Sequence, residues 1–454
     1  MSEKIELPEE HISISTKTSF AFATLANNIL NGLVFGNITF FYNQKLGADA
    51  TLLTIGWFIF AFWNVINDPI ASYFIDNTRT KIGRRIPYIR YGSFIYAFAF
   101  ILCWIPIAPL DNQFALFLNF IFVLFFLDTM FSIVGCCFFC LPAEIAITAK
   151  GRTSLGIYTS VIGFINILIG FIVPIVLLTG QEGIPDIFYP VIIIFALLCA
   201  VILFGTSYFY KENMFAQLQP HEPFIEGIKL TFKNKPFWIF MIPAFFLAIV
   251  LPMFQTGLLY YVQNTIGGLD LILLLFFLII GIVIGMAFNV NKMPQIGPKK
   301  IMIINLSVIT IAFIILFMMG QFTLFAWIPG FFAGIGFAGA MVSNGVLMGD
   351  NIDNDELITG KRREAIYGGV NAIVTKPSLS IANGLFLFLL GSYGIFTAFF
   401  LIPAIFTGIS ILALYWYPLD GPEWLKKKKY IFELHEKKEQ EYLQKLAKEG
   451  KLKS

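Results

Sequence analysis

The chain alternates long apolar stretches with short polar breaks, and almost all of its charge sits in the breaks. Each stretch reaches the ~20 helical residues needed to cross about 30 Å of hydrocarbon. Lipid offers no partner for a backbone N–H or C=O, so each stretch must satisfy its own and is expected to be a helix. The two-residue alternation of barrel strands is absent. The pattern predicts twelve spans, at 18–44, 50–76, 87–109, 113–142, 155–180, 186–210, 236–262, 268–290, 300–320, 322–348, 365–391 and 393–417. The links near 110–112 and 320–322 leave room for tight turns only.

Charge placement gives the orientation. With the N-terminus inside, all of the 31 Lys and Arg except Lys45 and Lys376 fall in the N-tail, the even-numbered loops, the inner ends of the spans beside them (Arg90 and Lys300) or the C-tail. That is the side on which basic residues concentrate. Both termini are therefore expected to be cytoplasmic in a multi-pass protein of the plasma or cytoplasmic membrane. Composition agrees: 57% of residues are hydrophobic and 13% charged, against about a quarter charged in soluble domains. The five cysteines all lie in spans and suit packing better than metal or disulfide chemistry. The polar N-terminal stretch carries no cleavage signature of a removable signal.

The longest break divides the chain into a cytoplasmic tail (1–17), a six-helix bundle (18–210), a linker (211–235), a second bundle (236–417) and a charged tail (418–454). The linker's "FIEGIKLTFKNK" fits a short amphipathic helix on the inner face. The halves repeat faintly. "KIGRR" after span two matches "QIGPKK" after span eight. "KGRTSLGIYTSV" after span four matches "TGKRREAIYGGV" after span ten, pairing Gly151 with Gly360 and Tyr158 with Tyr367 at an offset of 209. Duplicated six-span halves are the major facilitator architecture, an all-α membrane fold whose solute site lies near the midplane between the bundles.

Charges inside spans are costly and face a cavity or a partner. Asp68 in span two, Asp128 in span four and Lys376 in span eleven fall in the middle layer at about 1.5 Å per residue. Asn64, Asn67 and Asp68 stand at i, i+3 and i+4, on one helical face. Pro69 removes a backbone donor beside them. One carboxylate with amide oxygens suits a small hard cation, Na⁺, and the carboxylate equally accepts H⁺. Asp128 either lines the cavity or bonds within its own bundle. Lys376 is a coupling residue or a salt-bridge partner, and Pro377 marks a possible helix break. Asn28 and Asn31 in span one suit a hydroxylated solute or interhelical bonding, and Trp57, Trp63, Tyr158, Tyr261 and Trp327 are rings on which a sugar can stack. In the inner loop, Asp76, Arg79, Arg84 and Arg85 set topology and can bond helix ends that part on opening.

"INDPIASYFIDNTRTKIGRRIPYI", "LPAEIA…GR", "TGKRREAIYGGVNAIVTK" and the closing "YPLD" resemble the glycoside–pentoside–hexuronide:cation symporters. The resemblance runs from span one to span twelve. It implies alternating-access symport of a small polar solute, a glycoside or sugar, with Na⁺ or H⁺ and no other cofactor. It implies a cation site at Asp68 with Asn67, a coupling role for Lys376, and gating roles for Arg152, Arg363 and Tyr367. A second family aspartate falls at Asn64, and the sugar-binding acids fall at Asn28 and near Val134, two turns from Asp128. α-Galactoside specificity therefore does not carry over. The alternative cargo is a lysolipid or other amphipathic solute. The sequence offers no nucleophile–base pair, metal cluster or phosphate loop, and His11, His221 and His435 lie outside the spans, so an enzyme is not expected. The expected partners are solute, ion and bilayer, without nucleic acid or an obligatory protein.

Overall fold

The computed structural model describes residues 12–146, 149–180, 183–211, 229–360, 363–431 and 433, with the side chains of Asp76 and Arg152 outside the description. Twelve helical segments follow in order: α1 (Ile14–Phe35), α2 (Ala50–Asn77), α3 (Ile86–Trp104), α4 (Gln113–Ile145), α5 (Ala149–Leu178), α6 (Phe188–Thr206), α7 (Lys235–Asn264), α8 (Gly268–Ile296), α9 (Pro298–Met319), α10 (Trp327–Thr359), α11 (Glu364–Thr375, resuming over Pro377–Tyr393) and α12 (Ile402–Tyr415). Among the described residues, eleven helices are long and apolar enough to cross a membrane. The exception, α1, carries Asn27, Asn28 and Asn31 in its 22 residues and packs among the others. Of the stretch expected to form the amphipathic linker helix, residues 224–228 lie outside the described residues, and the rest shows only a short helical turn at 229–231 before α7.

Local chemistry sets several helix starts. Ser13 caps α1, Asp49 accepts from the Leu52 amide to cap α2, and Asn112 caps α4. Gln113 bonds back to the Asp49 amide and the Gly47 carbonyl, fixing the α2 and α4 starts side by side. Pro377 has no N–H to donate, so α11 is interrupted at Lys376, yet Lys376 keeps helical angles (φ −60°, ψ −42°) and the axis continues.

Packing repeats with a shift of six. In the first half α1 packs on α5 and α6, α2 on α4, and α3 on α4 and α6. In the second half α7 packs on α11 and α12, α8 on α10, and α9 on α10 and α12. Large apolar side chains such as Phe62, Ile194 and Leu412 point outward, as they do when the surrounding solvent is lipid. Glycines let α8 and α10 approach closely: a Cβ at Gly281 would come within 2.2 Å of the Phe331 carbonyl, and one at Gly334 within 2.4 Å of that of Leu278. The "GFFAGIGFAGA" stretch therefore serves backbone contact, which ties α8 to α10 within the second half. Replacing Gly281 by Ala forces these backbones apart and should cost about 1–3 kcal/mol, read as a lowered unfolding temperature in detergent.

Candidate functional site

The midplane charges converge where α2 and α4 of the first bundle meet α11 of the second. Asp68 Oδ1 lies 2.5 Å from Lys376 Nζ, an ion pair across the seam between bundles. The same oxygen accepts a hydrogen bond from Ser132 Oγ at 2.5 Å. Asn67 Nδ2 donates to Ser132 Oγ at 3.0 Å and to Asp128 Oδ2 at 2.9 Å. Ser132 follows Asp128 by one turn of α4, which puts both on the face turned toward α2. A polar line thus runs from Asp128 through Asn67, Ser132 and Asp68 to Lys376.

The Asn64, Asn67 and Asp68 set is divided by this arrangement. Asn67 turns into its own bundle, whereas Asn64 reaches the seam, its Nδ2 3.5 Å from the Lys376 carbonyl. The Asn64 Oδ1 and Trp63 Nε1 atoms are buried without a partner among the described residues. Asp68 and Ser132 thus hold bonded oxygens, and Asn64 an unanswered one, of the kind a small hard cation takes. No cluster of His, Cys, Asp or Glu among the described residues has the make-up of a transition-metal site. Asp128 is 2% exposed and bonded within its bundle, the second of its two expected placements. By contrast the Asp68 and Lys376 side chains keep 26% and 20% of their exposure. Asn28 is exposed at mid-depth and Asn31 partly so.

The candidate rings separate. Trp57 is fully buried and donates to Thr39 Oγ1 at 3.0 Å, and Tyr261 is buried and donates to the Gly320 carbonyl at 2.6 Å. Both serve packing. Trp327 lies against Phe277, and Tyr158 beneath Lys17. Trp63, partly exposed and stacked on Phe125 at 4.8 Å, stands one residue from Asn64 and remains beside the site. Of the gating set, Arg363 binds Asp355 through two nitrogens, at 2.9 and 2.5 Å, and the Tyr367 hydroxyl accepts from Asn234. These bonds hold α10, α11 and the start of α7 together within one bundle. Arg84 and Arg85 are buried, and Arg79 donates to the Thr78 carbonyl.

The bundles are joined in the outer half. Thr39 and Thr256 both donate to Asn383 Oδ1 at 2.9 Å, and Tyr260 donates to Asn43 Oδ1 at 2.9 Å. The Gly180 amide donates to Gln263 at 3.1 Å, and Phe40 meets Tyr260 edge to face at 5.0 Å. Thr39, Thr256 and Asn383 are 0% exposed. This layer joins the bundles on the outer side of the predicted orientation, while Asp68 and Lys376 keep partial exposure at mid-depth.

A two-bundle helical fold with a polar seam at mid-depth defines a multi-pass membrane transporter rather than an enzyme. The chain belongs to the MFS/sugar transport protein family, whose model matches residues 19–421. It is 24% identical over 373 residues to the uncharacterized symporter YjmB of Bacillus subtilis (strain 168), covering 79% of this chain and 78% of that protein. It is 25% identical over 343 residues to the lactose permease of Lactobacillus helveticus, covering 71% of this chain and 52% of that protein. Among solved structures, the fold is similar to a D-xylose-proton symporter (TM-score 0.66, 12% identity, 89% of this chain and 97% of that one). It is also similar to the nucleoside transporter NupG (TM-score 0.60, 14% identity, 88% and 98%).

Ser132, Thr39, Thr256 and Asn383 were not singled out from sequence. The i, i+4 spacing of Asp128 and Ser132 was the one available signal for Ser132. Ser132→Ala removes the Asp68 donor and one of the two acceptors of Asn67; it should cost about 1–3 kcal/mol, measured by thermal unfolding of the inserted protein.

Proposed function

We propose that the protein is a symporter that couples Na⁺ or H⁺ to the movement of a small polar solute of the glycoside or sugar class by alternating access. The observation that carries this reading is the Asp68–Lys376 ion pair, which joins the two bundles at mid-depth while keeping partial access to solvent. Symporters and a lactose permease among the similar proteins support the same reading.

Lys376 and the coupling cation compete for one carboxylate. With the site empty, the ammonium neutralises Asp68 and keeps an isolated charge out of low dielectric. Arrival of the cation at Asp68, with Ser132 and Asn64 supplying further oxygens, releases Lys376 from the pair. The freed side chain then changes what α11 can bond across the seam. Asn28, Asn31 and Trp63 are the groups proposed to meet the solute: amides hydrogen-bond hydroxyls, and the indole offers a face and an N–H. Asp128 acts behind them, through Asn67, by orienting Ser132 on Asp68. Binding a solute only in the ion-loaded state supplies the differential affinity that coupling requires.

Asp68→Asn should abolish cation-driven accumulation in proteoliposomes while insertion stays normal; undiminished uphill uptake would remove Asp68 from the mechanism. Lys376→Gln deletes the internal competitor. The apparent affinity for the coupling ion, read by thermal shift, should rise roughly tenfold, which corresponds to about 1.4 kcal/mol. An unchanged affinity would contradict the competition.

A further inference from the structure

We infer that the outer face closes through a knob-and-notch latch in which Gln255 of α7 seats against Gly36 of α1 and Gly170 of α5, making Gln255 a positioning residue for alternating access. The inference rests on the alternating-access reading but on neither the solute nor the ion.

The notch is built by a break in α1. The helix ends at Phe35 and resumes at Ile38, with Gly36 at the break. The Gly36 carbonyl is turned to the opposite bundle, where it accepts from Thr256 Oγ1 at 3.2 Å. Gly36 itself has ordinary angles (φ −80°, ψ −17°), so a side chain there is not excluded by the backbone. What it would meet is the end of Gln255: a Cβ at Gly36 would lie 2.1 Å from Gln255 Nε2 and 2.2 Å from its Cδ, so the amide must swing out of its seat to make room. On the far side of the knob, a Cβ at Gly170 would stand 4.0 Å from the same nitrogen. Gln255 therefore occupies the space that Gly36 leaves open, with Gly170 at ordinary contact distance on its far side.

The surrounding bonds keep the knob in register. Thr256, next in sequence, serves the Gly36 carbonyl or Asn383 Oδ1 with its one proton, and Thr39, held by Trp57, serves Asn383 from the other bundle. A closure made of small hydroxyls and amides is reversible, because water replaces each bond on opening at a modest net cost. An all-phenyl closure would have to expose its apolar area to water instead.

Spin labels at Asp111→Cys and Gln321→Cys, on exposed outer turns of opposite bundles, read the closure as a distance. Cys136 and Cys140, the two partly exposed native thiols, are replaced by alanine. Without solute or coupling ion, the parent should show a short, closed-outside population. Gly36→Ala should lose it, and Gly36→Ala with Gln255→Ala should regain it, because the new methyl then occupies the space the amide vacates. Retention of the short distance in Gly36→Ala, or no recovery in the double variant, overturns the latch. If Gly36→Ala does not insert, Gln255→Trp overfills the notch from the other side, and loss of the short distance is again the expected result. An Asp68→Asn variant that fails to alter transport leaves these distances untouched, so the two readings fail separately.

Discussion

An ammonium and a carboxylate 2.5 Å apart in the middle of a bilayer-spanning protein set the terms for everything around them. Either charge alone costs several kcal/mol at that depth. Removing one member of such a pair costs about 3–5 kcal/mol, because the other is left stranded. The pair joins helices from opposite bundles, so moving the bundles apart at mid-depth means answering both charges by other means. A cation can answer Asp68. That requirement is a physical route from ion binding to a change in shape, and it needs only two side chains that compete for one oxygen.

The rest of the architecture makes this competition consequential. Glycine-mediated backbone contact between α8 and α10, and the Arg363–Asp355 bonds at the inner end of α10, let the second bundle move as a body. In the alternating access proposed above, motion would be concentrated at the seam, where the contacts are hydrogen bonds between Thr39, Thr256 and Asn383 together with a few aromatic edges. Packed cores are bistable rather than continuously deformable, so a local exchange of charge can be amplified into rocking of the halves.

Much of this was legible in the chain. Apolar run lengths placed the helices, because lipid leaves no other option for the backbone. Asp68 and Lys376 announced themselves by depth alone. The partner of Asp128 did not, since an acid in a span reads the same whether it faces water or a neighbouring amide. Asn67 and Asn64 share a face by periodicity, yet a few tens of degrees of helix rotation send one to α4 and the other to α11. Trp57 and Tyr261 were indistinguishable from solute-stacking rings until the hydroxyl and carbonyl that satisfy them were placed. Gln255 escaped notice for a related reason: its importance lies in Gly36, more than 200 residues earlier in the chain, and no spacing rule connects them. Of the gating set, the side chains of Asp76 and Arg152 lie outside the described residues.

The exchange at Asp68 can be observed directly through its competitor. Amine-selective labelling, followed residue by residue by mass spectrometry, reports how far the Lys376 ammonium is engaged, with exposed Lys426 as the internal standard. Adding Na⁺ at fixed pH, or lowering the pH without it, should raise Lys376 labelling relative to Lys426 under one of the two conditions, as the ion takes over the carboxylate. A Lys376 whose labelling ignores both ions would mean that the pair never opens to a cation, and the coupling described here would not hold.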